Sequence, residues 1–317
     1  MSENLYAQLA RRANELGFAA VAAAALRPID DWREAAFRDP RPHWRGLTAD
    51  PAACLPGAVA GLLLAYPYSP YRDRPGEPML DAYYVVSNAA HRAARGLADE
   101  LVGAGFSALL APVPIKPLAE RSGLGRYGRN GLVSVGRWGT RVALQLILTD
   151  APLPTTDVGD RPGFAPECAD CRRCVAACPT GALAGDGRVN MDRCLRSLAG
   201  ERPMPEEFRP YVRSVQGCDL CQAACPRNAG VAQADMPEEL DQLARLSRLL
   251  AGDAKGLVPW IGGNYARKGR LQAAAALAAA NLGRADCLGA LAALECSALA
   301  PVRECAAWAV RRLAARA

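Results

Sequence analysis

Long hydrophobic runs are missing from this 317-residue sequence. The longest unbroken one, Phe18 to Leu26, has nine residues and is mostly alanine, whereas a membrane-spanning helix needs about 20. The sequence therefore predicts no membrane-spanning helix. An apolar leader is missing too, because Met1 is followed by Ser2-Glu3-Asn4 and a polar helical pattern. We therefore expect no secretory signal, no membrane partner and a cytoplasmic location.

Disulfide bonds are not expected either, although the chain has 12 cysteines. Eight of them lie between Cys168 and Cys225, and such dense thiol usage suits a reducing compartment. The first run, Cys168 to Pro179, has the spacing C-x2-C-x2-C-x3-C-P of bacterial ferredoxins. The second run, Cys218 to Pro226, is a near-repeat that is one cysteine short.

Cys194 lies between the two runs and supplies the missing ligand of a pair of four-iron clusters. In two-cluster proteins the fourth cysteine of such a run ligates the other cluster. The sequence therefore predicts that cluster one is held by Cys168, Cys171, Cys174 and Cys225, and cluster two by Cys178, Cys194, Cys218 and Cys221. Zinc is the alternative, since C-x2-C pairs also make zinc ribbons, but zinc seldom needs such a run followed by its near-repeat.

Four further cysteines are isolated, namely Cys54, Cys287, Cys296 and Cys305. The last three lie in Ala/Leu-rich helical patterns, and we predict that they are small core residues.

The net charge of +6 is concentrated at the C-terminal end. From Asn264 to Ala317 there are eight Lys/Arg and three Asp/Glu, a balance of +5. A basic helical tail is typical of nucleic-acid binding, and the alternative is a solvated helix surface. If the tail binds RNA, the phosphate contacts are expected from Arg267, Lys268, Arg270, Arg303, Arg311 and Arg312.

Composition divides the chain into three regions of an α+β protein. Residues 1–160 are predicted to form an α/β domain for cofactor and substrate, residues 161–235 a ferredoxin-like double-cluster domain, and residues 236–317 a short HEAT-like helical cap. In the first region, Val59–Tyr66 is predicted to be a strand and Ala82–Val102 a helix. The apolar runs 132–135 and 142–148 are predicted to form a hairpin.

A glycine-rich segment is the best candidate for a cofactor pocket. Four glycines lie in the nine positions from Gly123 to Gly131, and glycine lets the backbone approach a ligand closely. The spacing does not match a dinucleotide fingerprint, and a turn without a ligand is the alternative. The predicted cofactor-binding residues are Ser122, Gly123, Gly125, Gly128, Asn130 and Gly131.

Several segments together resemble the epoxyqueuosine reductase family, and the resemblance covers almost the whole chain. They are Leu55-Pro56-Gly57-Ala58-Val59, the stretch Leu118 to Gly125, Gly128-Arg129-Asn130, Leu148-Thr149-Asp150, the second cysteine run with Gly217, and the tail Val302 to Ala309. The cysteine runs alone are shared with many ferredoxin-like proteins. In combination with the glycine segment and the tail they are specific.

The resemblance implies a cofactor and an activity that spacing alone does not show. Members of the family carry two [4Fe-4S] clusters beside a cobalamin, a core that the related reductive dehalogenases share. They reduce the epoxide of a modified wobble guanosine in tRNA, the last step of queuosine synthesis, and their C-terminal helices help to hold the RNA. By resemblance, this chain is expected to bind cobalamin, to receive electrons from an external donor and to act on tRNA.

One departure from the family pattern concerns the proton donor. The family usually has an aspartate before its Ala-Pro-Val segment, and alignment through Pro112 and Ala119 places Leu109 there. Leucine cannot donate a proton. The helix that usually carries Asp-Tyr-His reads Ala89-Ala90-His91. The acid is therefore sought among Tyr83, Tyr84, His91, Lys116, Glu120 and Tyr127, each of which has an equally reasonable surface or structural role.

The sequence thus predicts a cobalamin-dependent iron-sulfur oxidoreductase that relays single electrons through two clusters. The alternative is an electron-transfer or corrinoid-reducing partner that has lost epoxyqueuosine chemistry together with the aspartate. The substrate, the proton donor, the electron donor and the oligomeric state do not follow from the sequence.

Overall fold

The computed structural model of the protein describes residues 2–29, 50–159, 161, 163–198 and 204–316. The strands are β1 Ala20–Ala25, β2 Ala60–Pro67, β3 Met79–Leu80, β4 Ala108–Leu110, β5 Arg126–Tyr127, β6 Val133–Ser134, β7 Val142–Thr149 and β8 Ser214–Gln216. The helices are α1 Ser2–Glu15, α2 Ala82–Gly103, α3 Ile115–Arg121, α4 Arg173–Ala176, α5 Leu195–Leu198, α6 Leu220–Ala223, α7 Glu238–Leu243, α8 Leu246–Leu250, α9 Val258–Ile261, α10 Lys268–Asn281, α11 Leu288–Leu294 and α12 Ala300–Ala314. The α+β class is confirmed.

The N-terminal region is organised by a four-stranded sheet with the order β1-β2-β7-β4. Every neighbouring pair in it is antiparallel, so the region alternates helices and strands without parallel βαβ units. In β2, Leu62 and Leu64 face the core under α1 and α2, whereas Leu63 and Ala65 face the core under α3. Because successive strand residues point to opposite faces, a sheet covered on both faces needs the continuous apolar run that the sequence contains.

The predicted strand and long helix are confirmed as β2 and α2, and the predicted hairpin is wrong. Of its two apolar runs, the first contributes β6, which pairs with β5. The second run is β7, which lies between β2 and β4. The linking residues Gly136–Trp138 form a 3-10 turn. The apolar strand β7 is buried in the centre of the four-stranded sheet, and it does not pair with β6, the strand nearest to it in sequence.

The C-terminal helices share one hydrophobic core with the cysteine-rich region. Leu195 and Val215 of that region pack with Leu271 of α10 and Trp308 of α12. The short strand β3 pairs in parallel with β8 and so connects the N-terminal region to this core. Among the described helices, none is both long and apolar enough to cross a membrane.

The isolated cysteines of the C-terminal helices divide between core and surface. Cys287 and Cys305 are buried, as predicted, because their helical positions face α10 and its neighbours. Cys296 is exposed, and its prediction as a core residue is wrong. It lies two residues beyond the end of α11, so it is not part of the apolar face by which that helix packs.

Candidate iron-sulfur centre

Four thiols come together where α4 meets α6. Cys174 lies in α4, and Cys225 precedes the 3-10 turn Pro226–Asn228 that follows α6. Burial raises the pKa of the Cys174 thiol, and nearby charge on Cys225, Cys168 and Cys171 raises it further. Cys225 in turn interacts with Cys168 and Cys171. The structure therefore brings Cys225 of the second run to three cysteines of the first.

A second set of thiols lies beside the first. Burial raises the pKa of Cys218 to about 12, and Cys194 contributes to that rise. The pKa of Cys221 is also raised, first by burial and then by Cys218, Cys194, Cys174 and Cys178. Since Cys174 and Cys178 belong to the first run, Cys221 lies close to cysteines of both runs. Such buried thiols ionise when a metal supplies the compensating positive charge.

The donor chemistry of the two sets fits four-iron clusters. Each set offers four soft sulfur ligands, one for each iron of a cube. Among the residues that the structure describes, no three His, Cys, Asp or Glu side chains converge as the ligands of a single ion would. Wider spacing is needed in a cube, because each thiolate binds a different iron. The adjacency of the two sets would allow an electron to pass between them.

A small cavity separates the first thiol set from the glycine-rich segment. Cys168, Cys171, Cys174 and Cys225 line one side of it. Gly128, Arg129, Asn130, Ser134 and Thr140 are on the other side. A Cβ on Gly128 would lie 3.7 Å from Sγ of Cys168 and 3.0 Å from Oδ1 of Asn130. Two of the predicted cofactor residues, Gly128 and Asn130, are thus brought to the first cysteine set.

Arg129 fastens the glycine-rich segment to the cysteine loop, a role that the sequence analysis missed. Its guanidinium donates hydrogen bonds to the carbonyl oxygens of Cys168 and Gly185, each at 2.6 Å, and to that of Ala169. A guanidinium presents several donors in a fixed fork, which here bridges two separate stretches of the cysteine-rich region, Cys168-Ala169 before α4 and Gly185 after it. Its only sequence signal was its position between Gly128 and Asn130.

Packing against protein accounts for two other glycines of the segment. A Cβ on Gly125 would lie 2.5 Å from Cγ1 of Val133 and 2.6 Å from the carbonyl oxygen of Ser134. Gly131 has φ +70°, and its Cβ would lie 2.8 Å from the carbonyl oxygen of Gly187. The space that a side chain would need at these two glycines is therefore filled by other parts of the chain. A cobalamin cradle is not visible at these two positions.

Ser122 and Gly123, the remaining predicted cofactor residues, end α3. Ser122 is buried and its hydroxyl donates to the carbonyl oxygen of Ala119 at 3.1 Å. Gly123 is exposed and has φ +78°, the left-handed conformation that glycine favours after a helix.

The candidate proton donors do not converge on one point. Lys116 donates to the carbonyl oxygen of Gly131 at 2.7 Å, and its Nζ lies 5.9 Å from the ring centroid of Tyr127. Glu120 accepts a hydrogen bond from the backbone N of Tyr127 at 3.0 Å. Lys116 and Glu120 of α3 therefore lie against the glycine-rich segment, to which Tyr127 belongs. His91 is exposed on α2.

Tyr83 and Tyr84 belong to a buried cluster at the start of α2. The guanidinium of Arg196 lies 4.1 Å from the Tyr83 ring centroid and 5.2 Å from that of Tyr84. Asp81 caps α2 by accepting a hydrogen bond from the backbone N of Tyr83 at 3.0 Å. Burial raises the pKa of Asp81, and the charge of Arg196 opposes that rise. Because Arg196 follows Cys194 by two positions, this cluster joins the second thiol set to α2.

Leu109, at the position of the family aspartate, lies in the edge strand β4. It pairs in register with Leu148 of β7 and is 37% exposed. Its side chain is therefore not needed to fill a core, and a polar replacement is compatible with this strand.

A large cavity of about 1080 Å³ opens between residues 70–79, the cysteine-rich region and the C-terminal helices. Arginines line it from these three parts and from the residue just before β7, namely Arg72, Arg74, Arg141, Arg173, Arg213, Arg267 and Arg270. Arg72 forms an ion pair with Asp235 at 3.0 Å and Arg74 with Asp241 at 2.9 Å. Among the described residues, Arg213 and Arg267 have no carboxylate partner.

The six predicted phosphate-binding residues divide between this cavity and other surfaces. Arg267 and Arg270 line the cavity. Arg303 donates to the carbonyl oxygen of Ser297 at 2.6 Å, and the Arg312 guanidinium lies 5.5 Å from the Trp308 ring centroid. Lys268 and Arg311 are exposed elsewhere on α10 and α12. The geometry therefore favours a smaller basic surface than the sequence predicted.

Comparison with known families supports the prediction of two [4Fe-4S] clusters. The family model of the 4Fe-4S double cluster binding domain matches residues 167–228. This range contains all eight cysteines of the two sets.

Curated relatives are epoxyqueuosine reductases. The Bacillus subtilis enzyme is 33% identical over 209 residues, which cover 62% of this chain and 53% of that protein. The Staphylococcus aureus enzyme is 32% identical over 207 residues with the same coverage. The enzyme of Lactococcus garvieae is 40% identical over 123 residues, which cover 38% of this chain and 34% of that protein. The matched segments thus span about a third to a half of these relatives.

Solved structures extend the likeness to the whole chain. Epoxyqueuosine reductase from Streptococcus thermophilus superposes with a TM-score of 0.74 at 25% identity, covering 98% of this chain and 91% of that one. The Bacillus subtilis structure gives 0.80 at 24% identity, covering 99% and 91%. The chain is thus similar in sequence to curated epoxyqueuosine reductases over at most about half of their length, and it shares the fold of their solved structures over almost its whole length.

Proposed function

We propose that the protein is an iron-sulfur oxidoreductase of the epoxyqueuosine reductase kind. What supports the proposal is that the eight cysteines lie in two neighbouring groups, one lining the small cavity and one around Cys221, within a stretch that matches a 4Fe-4S double cluster binding domain. When bound, the two clusters carry single electrons and a cobalamin supplies the reducing metal centre. The chain itself would hold the two clusters and keep them close together. The dense thiol usage fits a cytoplasmic location for this activity.

Cobalamin is part of the proposal through the resemblance and the homologues. The glycine-rich segment does not supply a visible cradle, because Gly125 and Gly131 pack against protein. We therefore assign no contact residue for cobalamin and no step of the mechanism to Ser122, Gly123, Gly125 or Gly131. Their role as cobalamin contacts stays a prediction.

The proposed substrate is a modified tRNA that enters through the large arginine-lined cavity. An epoxyqueuosine reductase of the same fold has been crystallised with an epoxyqueuosine-modified tRNA stem loop. In this chain, Arg213 and Arg267 offer two cations at the cavity without carboxylate partners among the described residues. Unpaired arginines are well suited to phosphate.

An electron-transfer or corrinoid-reducing partner is the second candidate, and Leu109 is the observation that favours it. Anaerobically reconstituted protein with cobalamin, an external reductant and epoxyqueuosine RNA separates the two. Repeated turnover, even if slow, supports a reductase. Stoichiometric reduction that stops after one equivalent supports a carrier and contradicts the proposed function.

RNA binding should depend steeply on salt and on the cavity arginines. In the double variant Arg213→Glu/Arg267→Glu, the affinity for a tRNA stem loop should fall, and the slope of log K against log salt should decrease by about 2, roughly 1 per lost phosphate contact. Titration by fluorescence anisotropy at several salt concentrations measures both. Arg311→Glu is the matched control, because Arg311 is exposed and does not line the cavity. Equal losses in the two variants, or no loss in the double variant, would exclude the cavity as the RNA site.

A further inference from the structure

The amide of Asn130 has one end satisfied and one end without a partner. Asn130 is only 4% exposed. Its Oδ1 accepts a hydrogen bond from the backbone N of Leu132 at 3.2 Å, which identifies the oxygen end of the amide. Its Nδ2 is buried and makes no hydrogen bond. Leaving a buried N–H group without an acceptor is costly, so an acceptor is expected at this point.

The cavity of the first cysteine set is where that acceptor would lie. Asn130 lines this cavity together with Cys168, Cys171, Cys174 and Cys225. Sγ of Cys168 and Oδ1 of Asn130 both lie within 4 Å of the same point above Gly128. The amide and the thiols are thus held at one small space by the backbone of the glycine-rich segment.

We propose that Nδ2 of Asn130 donates a hydrogen bond to a sulfur of cluster one and thereby raises its reduction potential. The inference rests on the proposed double-cluster function. One-electron reduction adds negative charge to the cluster, part of which is carried by its sulfurs. A hydrogen bond to a more negative acceptor is stronger, so the bond stabilises the reduced state. Hydrogen bonds to the sulfurs are among the factors that set cluster potentials.

Thr180 offers the equivalent contact at the other cysteine set. It is 2% exposed, and its Oγ1 lies 3.6 Å from Sγ of Cys178. Cys178 is assigned to cluster two. The two side chains therefore form a matched pair, each acting on a different cluster.

The test is a reduction titration of holoprotein followed by EPR, with Asn130→Leu and Thr180→Val as the two variants. The two reduction waves are first assigned with Cys171→Ser and Cys221→Ser, each of which alters one cluster. Asn130→Leu should lower the equilibrium constant for reduction of cluster one about tenfold, which is about 59 mV for one electron. Cluster two should keep its potential in this variant. Thr180→Val should lower the potential of cluster two and leave that of cluster one in place.

An unchanged cluster-one potential in Asn130→Leu would overturn the proposal, as would an equal shift of both clusters. If Asn130→Leu loses cluster one, as shown by iron and sulfide content, Asn130→Asp takes its place. Aspartate keeps the oxygen that accepts from Leu132 and removes the N–H donors, so it should also lower the cluster-one potential. A wild-type potential in that variant contradicts the proposal. The readout needs no substrate, so it is independent of whether the protein reduces epoxyqueuosine.

Discussion

Replacing Cys178 with alanine should reduce the iron content from about eight to about four atoms per chain, with a parallel loss of sulfide. The cluster that remains should be cluster one, although Cys178 belongs to the first cysteine run. The reason is the predicted exchange of fourth ligands: Cys178 is among the cysteines that interact with Cys221 of the second run, and Cys225 is among those that interact with Cys174 of the first run. Iron and sulfide analysis together with EPR measures the loss and identifies the surviving cluster.

Two further variants make this result specific. Cys225→Ala should show the reverse effect, with loss of cluster one and survival of cluster two. Cys296→Ala is the matched control, because Cys296 is exposed and belongs to neither set; its iron content should equal that of the wild type. Loss of cluster one, but not cluster two, from Cys178→Ala would show that each run holds its own cluster.

The second large effect concerns Leu109. General acid catalysis typically contributes about 10²- to 10⁴-fold to a rate, and the aligned family aspartate is replaced here by leucine. We therefore expect the wild-type protein to reduce epoxyqueuosine in RNA slowly or not at all. Leu109→Asp should raise the rate by a factor that approaches this 10²- to 10⁴-fold contribution. The exposed position in β4 tolerates a carboxylate. Single-turnover assays with chemically reduced protein measure the change.

Val102→Asp is a suitable control for Leu109→Asp. Val102 is also an exposed apolar residue, with 54% exposure, but it lies near the end of α2. The Val102→Asp variant should reduce epoxyqueuosine in RNA at the wild-type rate. Brisk wild-type turnover would contradict the prediction and would direct attention to Lys116 and Tyr127, which lie close together at the glycine-rich segment.

Elements with a strong local pattern were predictable from the sequence. The strand β2 was evident because both of its faces are buried, which requires an unbroken apolar run. The helix α2 was evident from its length and its apolar spacing. The sorting of the eight cysteines into two ligand sets comes from their spacing, because the fourth ligand of a ferredoxin run belongs to the other cluster, and it stays a prediction.

Features that depend on distant parts of the chain were not predictable in this way. Gly125 and Gly131 were predicted as cofactor contacts, whereas the reason for glycine that the structure shows is close packing against Val133 and Gly187 respectively. The strand β7 was assigned to a hairpin, yet it pairs with β2 and β4. In each case the partner is selected by tertiary packing, which a local sequence window does not contain.

Asn130 and Arg129 illustrate the same limit at the candidate site. Their neighbours in sequence are glycines, and nothing local indicates which loop they meet. Arg129 reaches the carbonyl of Gly185, 56 residues further along the chain. The sequence showed only that these polar side chains lie among glycines. That pattern indicates a constrained backbone but does not predict which part of the chain the side chains contact.

The central claim is that this chain holds two adjacent [4Fe-4S] clusters and transfers their electrons to a cobalamin. Anaerobically purified protein, incubated with cobalamin and then examined by optical and EPR spectroscopy with iron and sulfide analysis, tests it most directly. We expect about eight iron and eight sulfide per chain, the EPR signals of two reduced four-iron clusters, and a protein-bound cobalt signal. Zinc-containing protein without sulfide would contradict the claim of clusters, and clusters without bound cobalt would contradict the claim of a cobalamin acceptor.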